Sequence, residues 1–354
     1  MAITPDGVRE LRSHDHQVAV ERGAGSGSAI DDEEYAGAGA ELVSADEAWS
    51  AELVVKVKEP QRAEFAHLRE GLVLFTYLHL AAYPEVAERL LEGGTTALGY
   101  ETVQLATGAL PLLAPMSEVA GRMATQIGAH YLERDWGGRG VLLGGAPGVQ
   151  PGRVVVLGAG NVGWNAAWIA QGMQAEVILL DKDLDRLRFV DQIHQGRIVT
   201  QASNRGAIER SVAEADLVIG AVLVPGGRAP TLVTEEMVKS MRRGTVVVDV
   251  AVDQGGCIQT THETTHGEPV YVVHDVIHYA VGNIPASVPR TSTYALTNAT
   301  LPYVVEVADR GVSEAIAHDP ALAHGVNAVA GRVTNSAVAE ALGAEAADPL
   351  ACLP

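Results

Sequence analysis

One phosphate-binding pattern and three separate polar groups are the residues here that could do chemistry. The apolar run Val154-Val155-Val156-Leu157 leads into Gly158-Ala159-Gly160-Asn161-Val162-Gly163 and then an amphipathic stretch. In G-x-G-x-x-G the first glycine permits a tight turn and the second lets backbone approach a pyrophosphate. The third lets the helix pack close to the strand, and the helix N-terminus faces the phosphates. Asp181 closes the next apolar run, 23 residues after Gly158, a spacing that suits a carboxylate on adenosine ribose hydroxyls. A structural glycine turn is the plainer alternative. The strand before it, the helix after it and the acid at that spacing favour a dinucleotide. Asp181 would repel a 2′-phosphate, which favours NAD over NADP, while Lys182 and Arg186 pull the other way.

Lys58 ends Val54-Val55-Lys56-Val57-Lys58, where Lys56 and Lys58 share one face. It is either part of a solvated lysine face or a cation that grips a carboxylate or polarises a carbonyl. His79 lies in Leu74-Phe75-Thr76-Tyr77-Leu78-His79-Leu80-Ala81. A histidine in such a run is commonly a satisfied core residue; opened onto a cleft, its ordinary pKa suits proton transfer near neutrality. Asp253 closes Val246–Val252 ahead of Gln254-Gly255-Gly256. It is either a turn former or a carboxylate aimed into a cofactor crevice. His274 and His278 have i, i+4 spacing, but no third ligand is evident, so no metal is expected. Gly23-Ala24-Gly25-Ser26-Gly27 lacks a following Lys-Ser/Thr and a partner acid, and reads as a flexible loop.

These groups need strands to hold them. Short apolar runs predict strands at 17–21, 53–57, 72–78, 153–157, 176–180, 217–222, 245–252 and 270–273. Amphipathic stretches predict helices at 85–91, 117–134, 162–173, 183–194, 207–214 and 234–242. This alternation means α/β architecture with parallel sheets covered on both faces. Thr4-Pro5-Asp6 reads as N-cap, N1 proline and first-turn acid, so a helix begins there. The chain turns strongly helical again over 301–316, and its last dozen residues read as frayed. At 354 residues two domains are expected, with a Gly/Pro-rich linker at 144–152. Hydrophobic residues at 47% and charged residues at 19% predict a packed globular protein. The net charge of −19 argues against nucleic-acid and anionic-membrane partners. The two cysteines exclude a disulfide scaffold, no secretory signal opens the chain, and the longest apolar stretch falls short of a membrane span of about 20 residues. A cytoplasmic protein is expected.

Several strings resemble the alanine dehydrogenase family. They include Lys56-Val57-Lys58-Glu59-Pro60, the His79 run, Ala114-Pro115-Met116-Ser117-Glu118-Val119-Ala120-Gly121-Arg122, and Gly220-Ala221-Val222-Leu223-Val224-Pro225-Gly226. Asp253-Gln254-Gly255-Gly256-Cys257, Pro285-Ala286-Ser287-Val288-Pro289 and the segment Thr291 to Thr300 continue the set in the family's order. The resemblance implies reversible oxidative deamination of L-alanine with NAD and water, giving pyruvate, ammonium and NADH. It implies that Lys58 holds the substrate, that His79 donates and accepts its proton, and that Asp253 handles protons as water attacks iminopyruvate. Ser117, Asn161 and Val162 would contact the cofactor phosphates with Gly158, Gly160 and Gly163, and Asp181 would take the adenosine ribose. Arg186 and Ser203 would flank adenine; Val222, Leu223, Val250, Asn283 and Ile284 would line the nicotinamide side. The family implies a Rossmann-type NAD-binding domain over 112–289, a discontinuous Rossmann-like substrate domain over 1–111 and 290–354, and a homohexamer.

The resemblance also expects about 15 further residues ahead of Ala2, a strand and then an arginine that holds the substrate carboxylate as a bidentate partner. Without that arginine, substrate binding would be impaired. Two other readings share the fold: a catalytically impaired NAD-binding relative, and the nucleotide-binding subunit of a proton-translocating transhydrogenase.

Overall fold

A computed structural model describes residues 1–222 and 229–353, with only the backbone of Asp253 and Gln254. The chain forms two compact units, Met1–Pro115 with Val288–Pro354, and Met116–Ser287.

The first unit opens with α1 (Pro5–Ser13), whose Thr4 hydroxyl accepts from the Gly7 amide as the capping pattern predicts. There follow β1 (Ala19–Glu21), α2 (Asp32–Gly37), β2 (Glu41–Val43), α3 (Ala45–Trp49), β3 (Leu53–Val55), β4 (Val73–Thr76), α4 (Pro84–Glu92) and β5 (Thr96–Gly99). Strands β3, β4 and β5 are mutually parallel, while among the described residues β1 pairs only with β2, also in parallel. Gly25 packs against Ile30 and Tyr35 beside a 3-10 turn, so the early glycine cluster is a packed corner rather than a flexible loop. The free edges of β1 and β3 both line a cavity of about 670 Å³ that also takes in Met1, Trp49, Val304 and Val312.

Helix α5 (Ala114–Tyr131) leads into the second unit. There β6 (Arg153–Leu157), α6 (Asn161–Gly172), β7 (Glu176–Asp181), α7 (Leu184–His194), β8 (Val199–Ala202), α8 (Arg205–Glu214), β9 (Leu217–Gly220), α9 (Glu235–Ser240), β10 (Val246–Asp249), β11 (Val270–Val273) and β12 (Val276–Tyr279) follow in turn. The sheet order is β11-β12-β10-β9-β6-β7-β8, parallel except for β11. Leaving β11 aside, this is the doubly wound order 3-2-1-4-5-6, with β6 as strand 1. Both faces are covered. Val154 and Val156 point into one apolar core, Val155 and Leu157 into the other.

The chain then returns to the first unit with α10 (Pro289–His318), α11 (Pro320–Gly325), β13 (Val326–Val329), β14 (Arg332–Val333), α12 (Ser336–Leu342) and α13 (Pro349–Cys352). The long helix α10 breaks at Gly311, whose φ of 71° is outside the helical region. Strand β13 adds antiparallel to β5 and β14 to β13, giving the order β14-β13-β5-β4-β3. The last dozen residues are not simply frayed: the Ala347 amide donates to the Val333 carbonyl at 2.8 Å, and a short helix follows.

Several expected strands end early. Residues 72–78 yield a strand only over Val73–Thr76, and 245–252 only over Val246–Asp249 before a 3-10 turn at Val250–Gln254. In each case the apolar run outlasts the pairing, because its final residues turn into the loop that carries His79 or Asp253.

Candidate active site

In the first unit, Lys58 and His79 leave the C-terminal ends of neighbouring parallel strands. The Tyr77 amide donates to the Val57 carbonyl at 3.3 Å, and the Thr76 hydroxyl donates to the Lys58 carbonyl at 2.9 Å. The two loops are therefore tied to each other. Lys56 is committed elsewhere: its ammonium pairs with Glu64 at 2.5 Å and lies 5.3 Å from the Trp49 ring centroid. Lys58 is different. Its side chain is 54% exposed, with an ion pair of 3.8 Å to Glu59. A long, exposed pair of this kind holds a cation weakly. Of the two lysines on that face, Lys58 is thus available to an anion.

His79 is exposed, although Leu78 before it and Leu80 after it are buried. It is not a core histidine. Its backbone sits at φ 49°, a region that L side chains rarely adopt and that commonly marks functional positions. The ring stacks on Tyr77 at 5.6 Å between centroids, and the Tyr77 hydroxyl donates to the Leu112 carbonyl at 2.7 Å. Burial, with the Glu101 charge nearby, pushes the Tyr77 phenol well above its usual range, so it remains a donor.

In the second unit, the phosphate loop lies where β6 and β9 adjoin at the reversal of strand order. Gly158 has φ 104°, and a Cβ on it would lie 2.5 Å from the Ala221 carbonyl oxygen. A Cβ on Gly163 would collide with the Gly158 carbonyl. Gly160 is the residue before α6 and makes no side-chain cap, so the first amides of that helix have no partner from the cap residue. Among the described residues, only the Arg186 guanidinium comes within 4 Å of a Cβ built on Gly160, at 3.7 Å. Two glycines are therefore closed against their own chain, and the middle one opens beside a cation. That shape fits a dinucleotide pyrophosphate.

Asp181 is buried and already occupied by backbone. Its carboxylate accepts from the Ala159 amide at 2.6 Å and the Asp183 amide at 2.8 Å. It is thus the internal anchor of the loop as well as the expected ribose partner; a carboxylate has about four acceptor sites, so capacity remains. The Ser203 amide donates to the Asp181 carbonyl at 2.8 Å, which places Ser203 beside it. Ser117 lies half-buried in the early turns of α5, and Asn161 and Val162 open α6. Val222 and Val250 are partly buried against the two cores, Ile284 is buried, and Asn283 is exposed with φ 55°. Leu223 lies outside the described residues.

Asp253 belongs to the 3-10 turn Val250–Gln254, and the groups that shape its loop are clear. Asp249, fully buried, accepts from the amides of Ala251, Cys257 and Ile258 and from the Thr261 hydroxyl at 2.7–3.2 Å. Burial holds its carboxyl above the usual range, although those donors pull it down. The Cys257 thiol, buried beside Asp249, is pushed up and is no nucleophile.

His274 and His278 do not form a helical pair. His274 lies between β11 and β12 and contacts Glu235 at 2.8 Å; His278 is on β12 and contacts Thr260 at 2.8 Å. Among the described residues, no group of three His, Cys, Asp or Glu could hold a metal, and no helix is long and apolar enough to cross a membrane.

Comparison with known proteins shows what the chain is similar to. Residues 1–120 match the N-terminal domain of the family described as alanine dehydrogenase/PNT, and residues 124–336 match its C-terminal domain. The chain belongs to the alanine dehydrogenase/PNT family. It is 55% identical over 344 residues to an alanine dehydrogenase of Mycolicibacterium smegmatis, covering 97% of this chain and 93% of that one. It is 54% identical over 355 aligned positions to that of Mycobacterium tuberculosis, covering 100% and 96%. A solved L-alanine dehydrogenase superposes with a TM-score of 0.94 at 51% identity, covering 97% of this chain and 95% of that one. A transhydrogenase from Sinorhizobium meliloti follows at 0.81 and 26% identity, with 95% of each covered. Within the family, the chain is therefore much more similar to the alanine dehydrogenases.

Neither Glu101 nor Asp249 was marked by sequence reasoning as a site residue. Asp249 alternates with Asp253 along the sequence, but an acid in that pattern carries no separate signal. Glu101 had none, because the strand before it was not recognised.

Proposed function

We propose that the protein is an NAD-dependent L-alanine dehydrogenase. The observation that carries this is identity of 54–55% across nearly the whole chain to alanine dehydrogenases. The loop supports it: its glycines leave room for a pyrophosphate, and Asp181, the buried acid that ends β7, has the spacing expected of a ribose partner. NAD, when bound, accepts the hydride from the substrate Cα. The loop Gly158–Gly163 with Asn161 and Val162 would hold its phosphates, together with Ser117. Asp181 would take the adenosine ribose, Arg186 and Ser203 would flank adenine, and Val222, Leu223, Val250, Asn283 and Ile284 would line the nicotinamide side.

The remaining work falls to this chain's side chains. Lys58 supplies the cation for the carboxylate or carbonyl oxygen of the substrate. His79 moves the proton at the reacting carbon's substituent, and Asp253 moves protons as water adds to iminopyruvate and ammonium leaves. The first unit, in this reading, carries the substrate groups Lys58 and His79. The second carries the cofactor groups and Asp253. The assembly is a homohexamer in the cytoplasm; its free cysteines suit a reducing compartment.

The test is NADH oxidation followed by absorbance. Turnover that requires pyruvate and ammonium together is expected. Hydride exchange between NAD and NADP analogues in their absence, with no reaction in their presence, would favour the transhydrogenase reading instead.

A further inference from the structure

Strands β4 and β5 are parallel neighbours in a register that pairs Thr76 with Gly99. Two residues beyond each lie Leu78 and Glu101. The chain after β5 turns at once into a 3-10 turn, Tyr100–Thr102. A Cβ on Gly99 would press on the Asn327 side-chain amide and the Thr102 hydroxyl, which bond each other at 2.8 Å, so glycine leaves that tie undisturbed. Tyr100 is buried and sets its ring edge-on to Phe75 and Tyr77, which locks the turn to β4. The result is a mostly buried carboxylate aimed at the start of the His79 loop.

The Glu101 carboxylate accepts from the Leu78 amide at 3.1 Å and 3.2 Å and from the His79 amide at 2.6 Å. The same oxygen that takes the His79 amide lies 4.0 Å from His79 Nδ1. Two consecutive amides thus converge on one carboxylate at the residue whose φ is 49°. A left-handed conformation at a non-glycine residue persists only when its surroundings over-determine it. Here charge-assisted hydrogen bonds from two amides do so on the backbone, while the Tyr77 ring stacks on the imidazole.

We propose that Glu101 is the positioning residue of His79: it holds the backbone turn that presents the imidazole to the substrate. Removing the carboxylate frees the turn to relax toward ordinary φ and displaces the ring. A misplacement of about 1 Å can cost on the order of 100-fold in rate. Glu101 touches neither substrate nor cofactor in this account, and it rests on the proton-transfer role of His79 proposed above.

The test compares wild type with Glu101→Gln and Glu101→Ala. Expected is a fall in kcat of about 10–100-fold in Glu101→Ala. The fall is smaller in Glu101→Gln, which keeps the shape and one acceptor. The KM for pyruvate and the affinity for NADH change little. In 15N-histidine spectra of the same proteins, the ring signals lost in His79→Ala should shift. Unchanged kcat and unchanged ring signals would overturn the proposal. So would a joint collapse of kcat, NADH binding and melting temperature in Glu101→Gln, which would mark a scaffold role. Should Glu101→Ala fail to fold, Glu101→Gln carries the test. Should wild type not turn over pyruvate and ammonium, the functional reading fails, and the ring signals still report whether Glu101 positions His79.

Discussion

Asp181 shows how a residue chosen for one task is held by another. Its two oxygens fasten the phosphate loop through Ala159 and Asp183 before any ligand arrives. Asp181→Asn keeps the size but presents an amide N–H₂ to one of those amides and loses the charge. NADH affinity should fall about tenfold and the preference for NADH over NADPH should shrink, as titration with both nucleotides would show. His79→Ala should lower kcat by about 100-fold or more while NADH still binds, since general acid–base groups contribute on that order. Full rate in that variant would remove His79 from the chemistry. A pH dependence follows from His278. Its Nδ1 faces the Val276 carbonyl, which can only accept, so the proton sits on Nδ1 and Nε2 takes the Thr260 hydroxyl. Burial lowers the pKa of this ring below 6.5. The unfolded chain takes up a proton there first, so the stability contribution is present above about pH 6.5 and is lost as pH falls. The melting temperature of His278→Gln should therefore drop less than that of wild type between pH 7.5 and 5.5 (a window set around the ordinary histidine pKa).

At the scale of elements, the strongest sequence signals were those with a single physical cause. The run Val154–Leu157 with its glycines could be read because a buried parallel strand is continuously apolar and a pyrophosphate turn asks for glycine at set positions. The Gly163→Ala variant should accordingly lose NADH binding and melt lower, because its methyl meets the Gly158 carbonyl. Thr96–Gly99, Val199–Ala202 and Val326–Val329 were not foreseen as strands. Each has only four residues, and threonine, glutamine, asparagine or alanine interrupts their apolar pattern. Partners elsewhere in the chain make them strands, and short windows cannot see those partners. Asp216 is another long-range tie. Buried ahead of β9, it accepts from Arg139 and from the Arg153 amide that opens β6, both at 2.8 Å. Asp216→Ala should cost about 2–3 kcal/mol in urea unfolding, because a buried amide and a guanidinium lose their acceptor together.

For the whole molecule, the Gly/Pro-rich stretch 144–152 lies inside the middle unit and marks no boundary, which falls at 115–116 instead; that the late helices return to the first unit is legible in the sequence. The way the ends join is not. Strands β13 and β14 complete a sheet begun more than 200 residues earlier, and only pairing in space reveals it. The homohexamer expected from the family is checked by light scattering, which should give about six times the 37.1 kDa of one chain.

The hydroxyl of Thr76 on the Lys58 carbonyl gives the ammonium and the imidazole a common mount. Neighbouring strands run about 4.8 Å apart, and the β3–β4 ladder keeps the bases of the two loops at that spacing. The ladder therefore sets where the two loops start, while the turns beyond it, such as the one held by Glu101, set where each side chain ends. If Lys58 and His79 meet the substrate as proposed, this rung of the sheet is the base from which both reach, and a change in substrate size is met by the loops and rotamers above it.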